Sequence, residues 1–278
     1  MVYRDYDPAT LARLQAVELM MLADFNTLCR KHGIDYFCGG GTAIGAVRHG
    51  GMIPWDDDID LLMPRPDFER FLATYGKEPG ARYQCLFNAR GKKINFVNFF
   101  AKVHDTKTLS IESRMRKSHR FGLSIDLFPV DGKPDDRKAL LRHEKRLGHC
   151  AHQILLKQRP FFPLSFHNPL PAMIEAHLHS LDGLLRRCMK LMKEYDFSTS
   201  RLCGSAPIGS NGLKEVYERE LFEEYIELEF EGCRFLAFSR WDEYLRQQFG
   251  DYMQLPPENQ RKSHGLTVYL LDEPMRMD

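Results

Sequence analysis

The chain has 278 residues, of which 43% are hydrophobic and 28% charged, as is typical of a globular protein. Its formal net charge of +1 gives no general positive field, so we expect no nucleic-acid partner. Its apolar runs are far shorter than the roughly 20 residues of a membrane-spanning helix, which excludes a transmembrane segment. The first residues lack the pattern of a secretory signal, and the seven cysteines form no Cys-x-x-Cys pair. We therefore expect a cytoplasmic protein with reduced thiols.

Helices and strands alternate in the first part of the chain. Apolar residues at helical spacing predict an amphipathic helix from Pro8 to His32, which Gly33 ends. A short strand is predicted at 34–38, followed by a glycine turn at 39–41 and a brief helical turn at 43–47. A strand at 59–63 and a helix at 64–75 come next.

The remainder is predicted to be β-rich at first and then helical. Strands are expected at 83–87, 96–103 and 123–128 in one sheet, helices at 134–157 and 169–195, a hairpin at 226–238 and a helix at 241–249. This pattern predicts an α/β (α+β) fold, with a mixed sheet flanked by helices. We expect a catalytic core at 1–133, a helical subdomain at 134–220, and a C-terminal hairpin and helix at 221–278 that pack back on the core.

An acidic segment leads into the strand at 59–63. It places Asp56, Asp57, Asp58 and Asp60 within five positions. Because side chains alternate faces on an extended chain, Asp56, Asp58 and Asp60 project to one side and converge. Two such charges about 4 Å apart repel by roughly 4 kcal/mol at an effective dielectric near 20, so a cation, bound protons or a basic partner is needed. Carboxylates without Cys or His favour Mg²⁺ or Mn²⁺. The alternative is an acidic turn before a strand.

Two further features accompany this segment. Asp126 is the only charge inside a later apolar strand, where a carboxylate needs a metal, a hydrogen-bond donor or solvent. Alternatively, Asp126 caps a local turn or pairs with an arginine. The turn Gly39–Gly41, followed by Thr42, offers backbone N–H groups to a phosphate, although it lacks the P-loop lysine and the Rossmann glycine spacing. Together, these features form a stronger signal than each one alone.

At these residues the sequence resembles the LicD family of phosphocholine and related phosphotransferases, which includes fukutin-related transferases. The resemblance rests on the run from Gly41 to Met63, on Pro64 to Phe71 and on Ser124 to Gly132. It continues at 249–261 and at His264. The region from 134 to 220 carries little of it.

The resemblance implies a nucleotidyltransferase-like fold and metal-dependent transfer of a phospho-alcohol group, such as phosphocholine. The donor would be a CDP-activated alcohol, and the acceptor a sugar hydroxyl of a cell-surface or lipid-linked glycan. It also implies that Asp58, Asp60 and Asp126 are the catalytic metal ligands. Substrate-binding residues implied by the motifs are Gly40, Gly41, Thr42, Asp56 and His264.

Basic and aromatic residues near these motifs complete the predicted phosphate site. We favour Arg48, which follows the glycine turn, and Lys102, in a predicted strand. The basic loop from Arg114 to Arg120 is either part of this site or a solvated run of charge. Trp55 either stacks on a base or on choline, or packs against the strand.

Two other functions stay open at this point. One is a nucleotidyltransferase that moves NMP from an NTP to a small molecule or sugar, which would use the same acidic pair. The other is a non-catalytic nucleotide- or metal-binding protein, against which the presence of all four aspartates argues. The sequence does not identify the alcohol, the acceptor sugar or the oligomeric state. Because many glycan acceptors are lipid-linked, peripheral contact with the inner face of the membrane through Phe161–Phe166 also stays open.

Overall fold

A computed structural model describes residues 6–75, 81–90, 95–111, 121–158, 170–206, 212–263 and 267–271. The described helices are α1 (Pro8–His32), α2 (Gly40–His49), α3 (Arg65–Thr74), α4 (Arg137–Gln158), α5 (Leu170–Leu178), α6 (Leu181–Met192) and α7 (Trp241–Phe249). The described strands are β1 (Phe37–Cys38), β2 (Asp60–Pro64), β3 (Tyr83–Leu86), β4 (Ala89–Arg90), β5 (Asn95–Phe96), β6 (Ala101–Asp105), β7 (Thr108–Ile111), β8 (Ser124–Lys133), β9 (Leu202–Gly204), β10 (Val216–Glu218), β11 (Tyr225–Phe230), β12 (Cys233–Phe238) and β13 (Thr267–Leu270).

The largest sheet has seven strands and mixed direction. Its main path runs β1-β2-β8-β6-β3, with β9 added to β8 and β10 added to β9. Strands β2 and β8 are parallel, and the other pairings are antiparallel. The predicted α/β class with a mixed sheet and flanking helices is therefore confirmed.

Two apolar clusters cover the sheet. The larger contains α1 residues such as Met21, Leu22 and Phe25, together with Ile125 and Leu127 of β8. The smaller joins α4 and α6 to the segment at 96–100. Because side chains alternate along β8, Ile125 and Leu127 face α1 and leave Asp126 on the opposite face.

The C-terminal hairpin packs on the β1 edge of the sheet. Phe37 of β1 stacks on Phe238 of β12, with ring centroids 4.5 Å apart, and Tyr244 of α7 lies 4.6 Å from Phe238. This contact brings α7 next to the glycine turn. The division into three parts stays a prediction, but β9 and β10, from the region expected to be helical, extend the main sheet.

Several helices and strands have the bounds that the sequence predicts, or nearly so, whereas other predicted elements are wrong. Helices α1 and α7 match, whereas the strand predicted at 96–103 is broken. The side chain of Asn98 accepts the N–H of Phe99 at 2.9 Å, a local turn that interrupts the extended chain. Only Ala101–Asp105 joins the main sheet, and β5 pairs with β4 instead.

The helix predicted at 169–195 is two helices. Ser180 is the N-cap of α6, and its hydroxyl accepts the N–H of Gly183 at 3.0 Å. The helical turn expected at 43–47 is longer than predicted, because α2 begins within the glycine turn itself. The strand expected at 34–38 contains only Phe37 and Cys38.

Within the described part of the chain, no helix is both long enough and apolar enough to span a membrane. The aromatic segment Phe161–Phe166 lies outside the described residues.

A buried ion pair ties α3 to the end of β8. The Nε and Nη2 groups of Arg65 each donate a hydrogen bond to the carboxylate of Asp131 at 2.7 Å, and these residues are only 8% and 2% exposed. We expect Asp131→Asn to lower the free energy of unfolding by about 3–5 kcal/mol, because Arg65 would keep a buried charge without its carboxylate. Urea denaturation measures this change.

The matched control is Glu243→Gln, which breaks the exposed pair with Arg240. An exposed pair contributes about 0–1 kcal/mol, so this variant should unfold almost as the wild type does. Equal effects of the two substitutions would contradict the assignment of Arg65–Asp131 as a stabilising pair.

Candidate active site

The centre of the site is a row of three side chains across neighbouring strands. Asp60 of β2 lies directly opposite Asp126 of β8 in the parallel ladder, and Lys102 of β6 lies opposite Asp126 on its other side. Residues paired in register project to the same face of a sheet. The two aspartates and the lysine therefore meet, although 66 residues separate Asp60 from Asp126 in the sequence.

The predicted alternation of the acidic segment is confirmed. Asp56, Asp58 and Asp60 are half-buried, whereas Asp57 and Ile59 are buried towards the core. The segment before Asp60 is irregular, so only Asp60 belongs to β2. The structure thus places three of the four aspartates of this segment on the side of the site.

The charges of this cluster act on one another. Burial and the nearby charges of Asp58, Asp126 and Asp56 raise the pKa of Asp60 well above its ordinary value, while Lys102 opposes that shift. Among the described residues, the cluster therefore carries more negative charge than Lys102 balances. It favours an additional cation or a bound proton.

Lys102 forms an ion pair with Asp126. Its ammonium group also lies over the rings of Phe100 and Phe121, 5.5 and 5.6 Å from their centroids. The sequence left open that Asp126 pairs with an arginine. In the structure its basic partner is Lys102 instead. Lys102, predicted to bind phosphate, therefore lies at the site with its charge directed to Asp126.

The N-terminus of α2 faces the acidic residues. The N–H of Gly39 donates to the carbonyl of Asp60 at 2.9 Å, and the N–H of Asp60 donates to the hydroxyl of Thr42 at 2.9 Å. These two bonds fix the glycine turn to the start of β2. The first residues of a helix leave N–H groups without intrahelical partners, and the N–H of Gly40 is bonded to the hydroxyl of Tyr244 at 2.8 Å.

Two glycines allow the carboxylates to approach the backbone. A Cβ on Gly41 would lie 2.8 Å from the Oδ2 of Asp56, and one on Gly40 would lie 3.2 Å from the Oδ2 of Asp60. Gly40 also has a φ of +48°, which side chains rarely adopt. The partial positive charge of the α2 N-terminus therefore stabilises both carboxylates.

Helix α1 supports the acidic segment from behind. The side-chain amide of Gln15 donates to the carbonyls of Ile53 and Asp56, at 3.2 and 2.9 Å. One turn later, Glu18 is fully buried, and neither of its carboxyl oxygens has a hydrogen-bond partner in the described part of the chain. Burial, followed by the charges of Asp58, Asp57 and Asp56, raises the pKa of Glu18 well above its ordinary value.

Trp55 directly precedes the acidic segment, and Arg48 lies in the last turn of α2. The guanidinium of Arg261 is 5.1 Å from the centroid of the Trp55 ring, and His49 meets that ring edge-on at 6.1 Å. Arg48 donates to the carbonyl of Tyr252 at 2.6 Å, and burial together with the charge of Arg261 lowers its pKa. Both predicted residues lie near Arg261, and Trp55 already has that cation on its ring; their role in substrate binding stays a prediction.

The carboxylates fit a magnesium ion that is shared with a substrate. Among the described residues, no three His, Cys, Asp or Glu side chains surround a common point closely enough to hold a metal. Magnesium, however, is usually bound by one or two protein carboxylates and completes its shell with water and substrate phosphates. Asp58 and Asp60 are the predicted pair. The role of Asp126 as a third ligand stays a prediction.

Sequence reasoning missed several residues of the site. Gln15, Glu18 and Tyr244 lie in helices far from the aspartates along the chain. The one available signal was Glu18, a carboxylate on the apolar face of α1, between Leu14 and Met21. His264 and the loop Arg114–Arg120 lie outside the described residues.

Glu18 yields a test of the electrostatics. Its raised pKa means that the folded protein binds the proton more tightly than the unfolded chain, so stability falls as pH rises above the unfolded-state value near 4.3. In EDTA, we expect Glu18→Met to raise the free energy of unfolding at pH 8 by about 1–3 kcal/mol, with a smaller gain at pH 5. Urea denaturation at both pH values measures the difference.

The control is Glu229→Met, at an exposed position of β11, which should change stability little at either pH. A gain for Glu18→Met that did not depend on pH would show that the carboxyl group is not the cause.

Comparison with known proteins agrees with this geometry. Residues 33–170 match the family model described as the LicD/FKTN/FKRP nucleotidyltransferase domain. Lipopolysaccharide cholinephosphotransferase LicD of Haemophilus influenzae is 31% identical over 265 residues, which cover 94% of this chain and 98% of that protein.

Two further relatives match shorter segments. The uncharacterized protein RT0683 of Rickettsia typhi is 38% identical over 90 residues, 31% of this chain and 29% of that protein. Human ribitol 5-phosphate transferase FKRP is 41% identical over 49 residues, 18% of this chain and 10% of that protein. The resemblance seen in the sequence motifs is confirmed by the match along nearly the whole chain: the protein belongs to the LicD family and is an enzyme of that family.

Proposed function

We propose that this enzyme transfers a phospho-alcohol group from a CDP-activated donor to a sugar hydroxyl of a glycan, with Mg²⁺ or Mn²⁺ as cofactor. Two relatives support the reaction class, since one is named as a cholinephosphotransferase and another as a ribitol 5-phosphate transferase. Both names describe the movement of a phosphorylated alcohol. The first relative also matches over nearly its full length.

The single observation that carries the proposal is the pairing of Asp60 with Asp126 beside the α2 N-terminus. This pairing brings several carboxylates, which favour binding of a divalent cation, next to backbone N–H groups, which can bind a phosphate. A donor diphosphate would bring phosphate oxygens to both. A binding protein without catalysis would not need a lysine-paired carboxylate in the same row.

The divalent ion would be held by Asp58 and Asp60, and when bound it would neutralise charge on the diphosphate. The first turn of α2, with Gly41 and Thr42, would hold the donor phosphate. Arg48 and Arg261, beside Trp55, add positive charge at the edge of the site. These groups position the donor and stabilise the charge of the leaving group.

Asp126 is the proposed general base. The acceptor hydroxyl oxygen attacks the phosphorus that carries the alcohol, the bond from that phosphorus to the CMP oxygen breaks, and CMP leaves. The hydroxyl proton passes to Asp126. The ion pair with Lys102 fixes the orientation of this carboxylate.

The acceptor and the location of the enzyme are also proposals. The lipopolysaccharide named for the Haemophilus relative makes a glycan, free or lipid-linked, the acceptor class that we favour. Such an acceptor fits an enzyme in the cytoplasm that works at the inner face of the membrane.

The proposal is tested by incubating the protein with Mg²⁺ and, separately, CDP-choline, CDP-ribitol, CDP-glycerol, CTP and ATP. We expect slow release of CMP from one CDP-alcohol, with water in place of the acceptor. Asp58→Asn and Asp60→Asn should each lower the rate at least 100-fold, because a neutral amide binds a divalent cation poorly. EDTA should have the same effect.

Asp135→Asn is the matched control, since Asp135 is an exposed aspartate outside the motifs that carry the family resemblance, and it should keep the wild-type rate. Release of pyrophosphate from CTP or ATP would favour nucleotidyl transfer instead. CMP release that persists in both site variants would contradict the assignment of the aspartates.

A further inference from the structure

Helices α4, α5 and α6 concentrate positive charge in a chain that is nearly neutral. Together they contain nine Lys or Arg and three Asp or Glu, a net charge of +6, whereas the whole chain has a net charge of +1. The rest of the chain is therefore net negative. Eight of the nine basic side chains are exposed, five on α4 and three on α6.

The acidic side chains of these helices cancel little of this charge at the surface. Glu144 accepts a hydrogen bond from the ammonium group of the buried Lys133 at 2.6 Å, and Glu175 lies 3.0 Å from the Nε2 of His149. Asp182 lies in the first turn of α6, where it meets the positive end of that helix. The outer surface of the three helices is therefore strongly positive.

Aliphatic side chains are exposed among these charges. Leu141 of α4 is 47% exposed and shares a helix face with Lys138, three residues before it, and Lys145, four residues after it. On α5, Ile174 and Leu178 are four residues apart and are 53% and 77% exposed. The solvent-facing side of a helix is usually polar, so aliphatic residues beside a basic surface indicate contact with an apolar partner or phase.

The three helices form one packed unit. The thiol of Cys150 on α4 donates to the carbonyl of Leu184 on α6 at 3.3 Å, and Glu175 joins α5 to α4 through His149. Arg146 of α4 also forms an ion pair at 3.3 Å with Glu194, which follows α6. The exposed basic and aliphatic side chains are thus held on a single body.

This unit packs on the sheet face that carries Asp126. Its apolar side chains contact the segment at 96–100, and the ring of Phe100 lies 4.9 Å from that of Phe128, two residues after Asp126 on β8. Phe100 also lies under the ammonium group of Lys102. The three helices and the candidate active site therefore occupy the same face of the sheet.

The combination of positive charge and aliphatic side chains favours an anionic lipid membrane as the partner. Basic side chains are attracted to the head groups of anionic lipids, and aliphatic side chains enter the boundary of the acyl chains. A nucleic acid would meet the charges but would leave the aliphatic side chains unused, since its bases stack on aromatic rings. A second copy of the chain would bring two positive surfaces together, and these repel.

We propose that the outer faces of α4, α5 and α6 form a docking surface for a membrane that contains anionic lipids. The inference rests on the proposed function for the role of this surface, since a docked enzyme would meet a lipid-linked acceptor, but the binding itself requires neither donor nor acceptor. The sequence left a membrane contact open at Phe161–Phe166. The docking surface lies instead on the helices that precede and follow that segment in the chain.

Flotation of the intact protein with lipid vesicles tests this surface without turnover. The vesicles contain phosphatidylcholine alone or phosphatidylcholine with about one third phosphatidylglycerol. We expect binding to the anionic vesicles to be about tenfold tighter or more, and to weaken about tenfold when NaCl rises from about 0.1 M to about 0.5 M.

Paired substitutions test the charge of the surface. Arg142→Gln combined with Lys145→Gln removes two exposed positive charges of α4 and should weaken binding to the anionic vesicles about tenfold or more. The matched control is Arg13→Gln combined with Lys31→Gln, which removes the same charge from exposed positions of α1. It should bind the vesicles as the wild type does.

Serine substitutions test the aliphatic side chains separately. Leu178→Ser should weaken binding to the anionic vesicles several-fold, because one inserted side chain is lost. Leu270→Ser, at a comparably exposed leucine of β13, is the control and should change binding little. These leucines are 77% and 82% exposed, so neither substitution should disturb the fold.

Equal binding to the two kinds of vesicle, no binding to either, or equal losses in the variants and their controls would overturn the inference. Salt-dependent binding to a short single-stranded RNA, with none to vesicles, would identify a nucleic acid as the partner and would also overturn it. CMP release from a CDP-alcohol by a protein that binds no vesicles would overturn the docking surface and leave the transferase proposal intact. Vesicle binding that depends on Arg142, Lys145 and Leu178, without CMP release from any donor, would support the docking surface and contradict the proposed function.

Discussion

The parallel pairing of β2 with β8 is the constraint on which the site depends. It places Asp60 opposite Asp126, and its register cannot shift by one residue without turning the side chains of one strand to the opposite face of the sheet. The hydrophobic core thus holds two like charges side by side. Packing of Ile125 and Leu127 against α1 supports an arrangement that electrostatics alone would oppose.

The surrounding structure offsets that repulsion in three ways. Lys102 provides a full positive charge in the same row, and the α2 N-terminus provides partial positive charge to Asp56 and Asp60. Gln15 holds the backbone of the acidic segment. Glu18 acts in the opposite direction, because it adds a buried carboxyl group to a region already rich in them. Among the described residues, the resulting balance still leaves a demand for positive charge, which supports the proposed divalent ion.

The sequence predicted the parts of the site that follow from local periodicity. Alternation along an extended chain was enough to separate Asp58 and Asp60 from Asp57, and a lone charge in an apolar strand was enough to single out Asp126. It was not enough to predict Glu18, Glu215 or Tyr244, because their proximity to the aspartates arises from packing between distant elements. Local side-chain bonds at Asn98 and Ser180 likewise divided a strand and a helix that hydrophobic pattern alone had predicted to be continuous.

The bond between Gly40 and Tyr244 joins two stretches of the chain with different tasks. The match to the family model ends at residue 170, so the matched segment includes all the site aspartates. Glu215, Tyr217 and Phe249, which line the cavity beside Asp60, lie beyond that segment. The glycine turn and α7 thus belong to separate segments of the chain that meet at one hydroxyl group. Such a division would let the C-terminal segment change among relatives while the strands that carry the aspartates stay as they are.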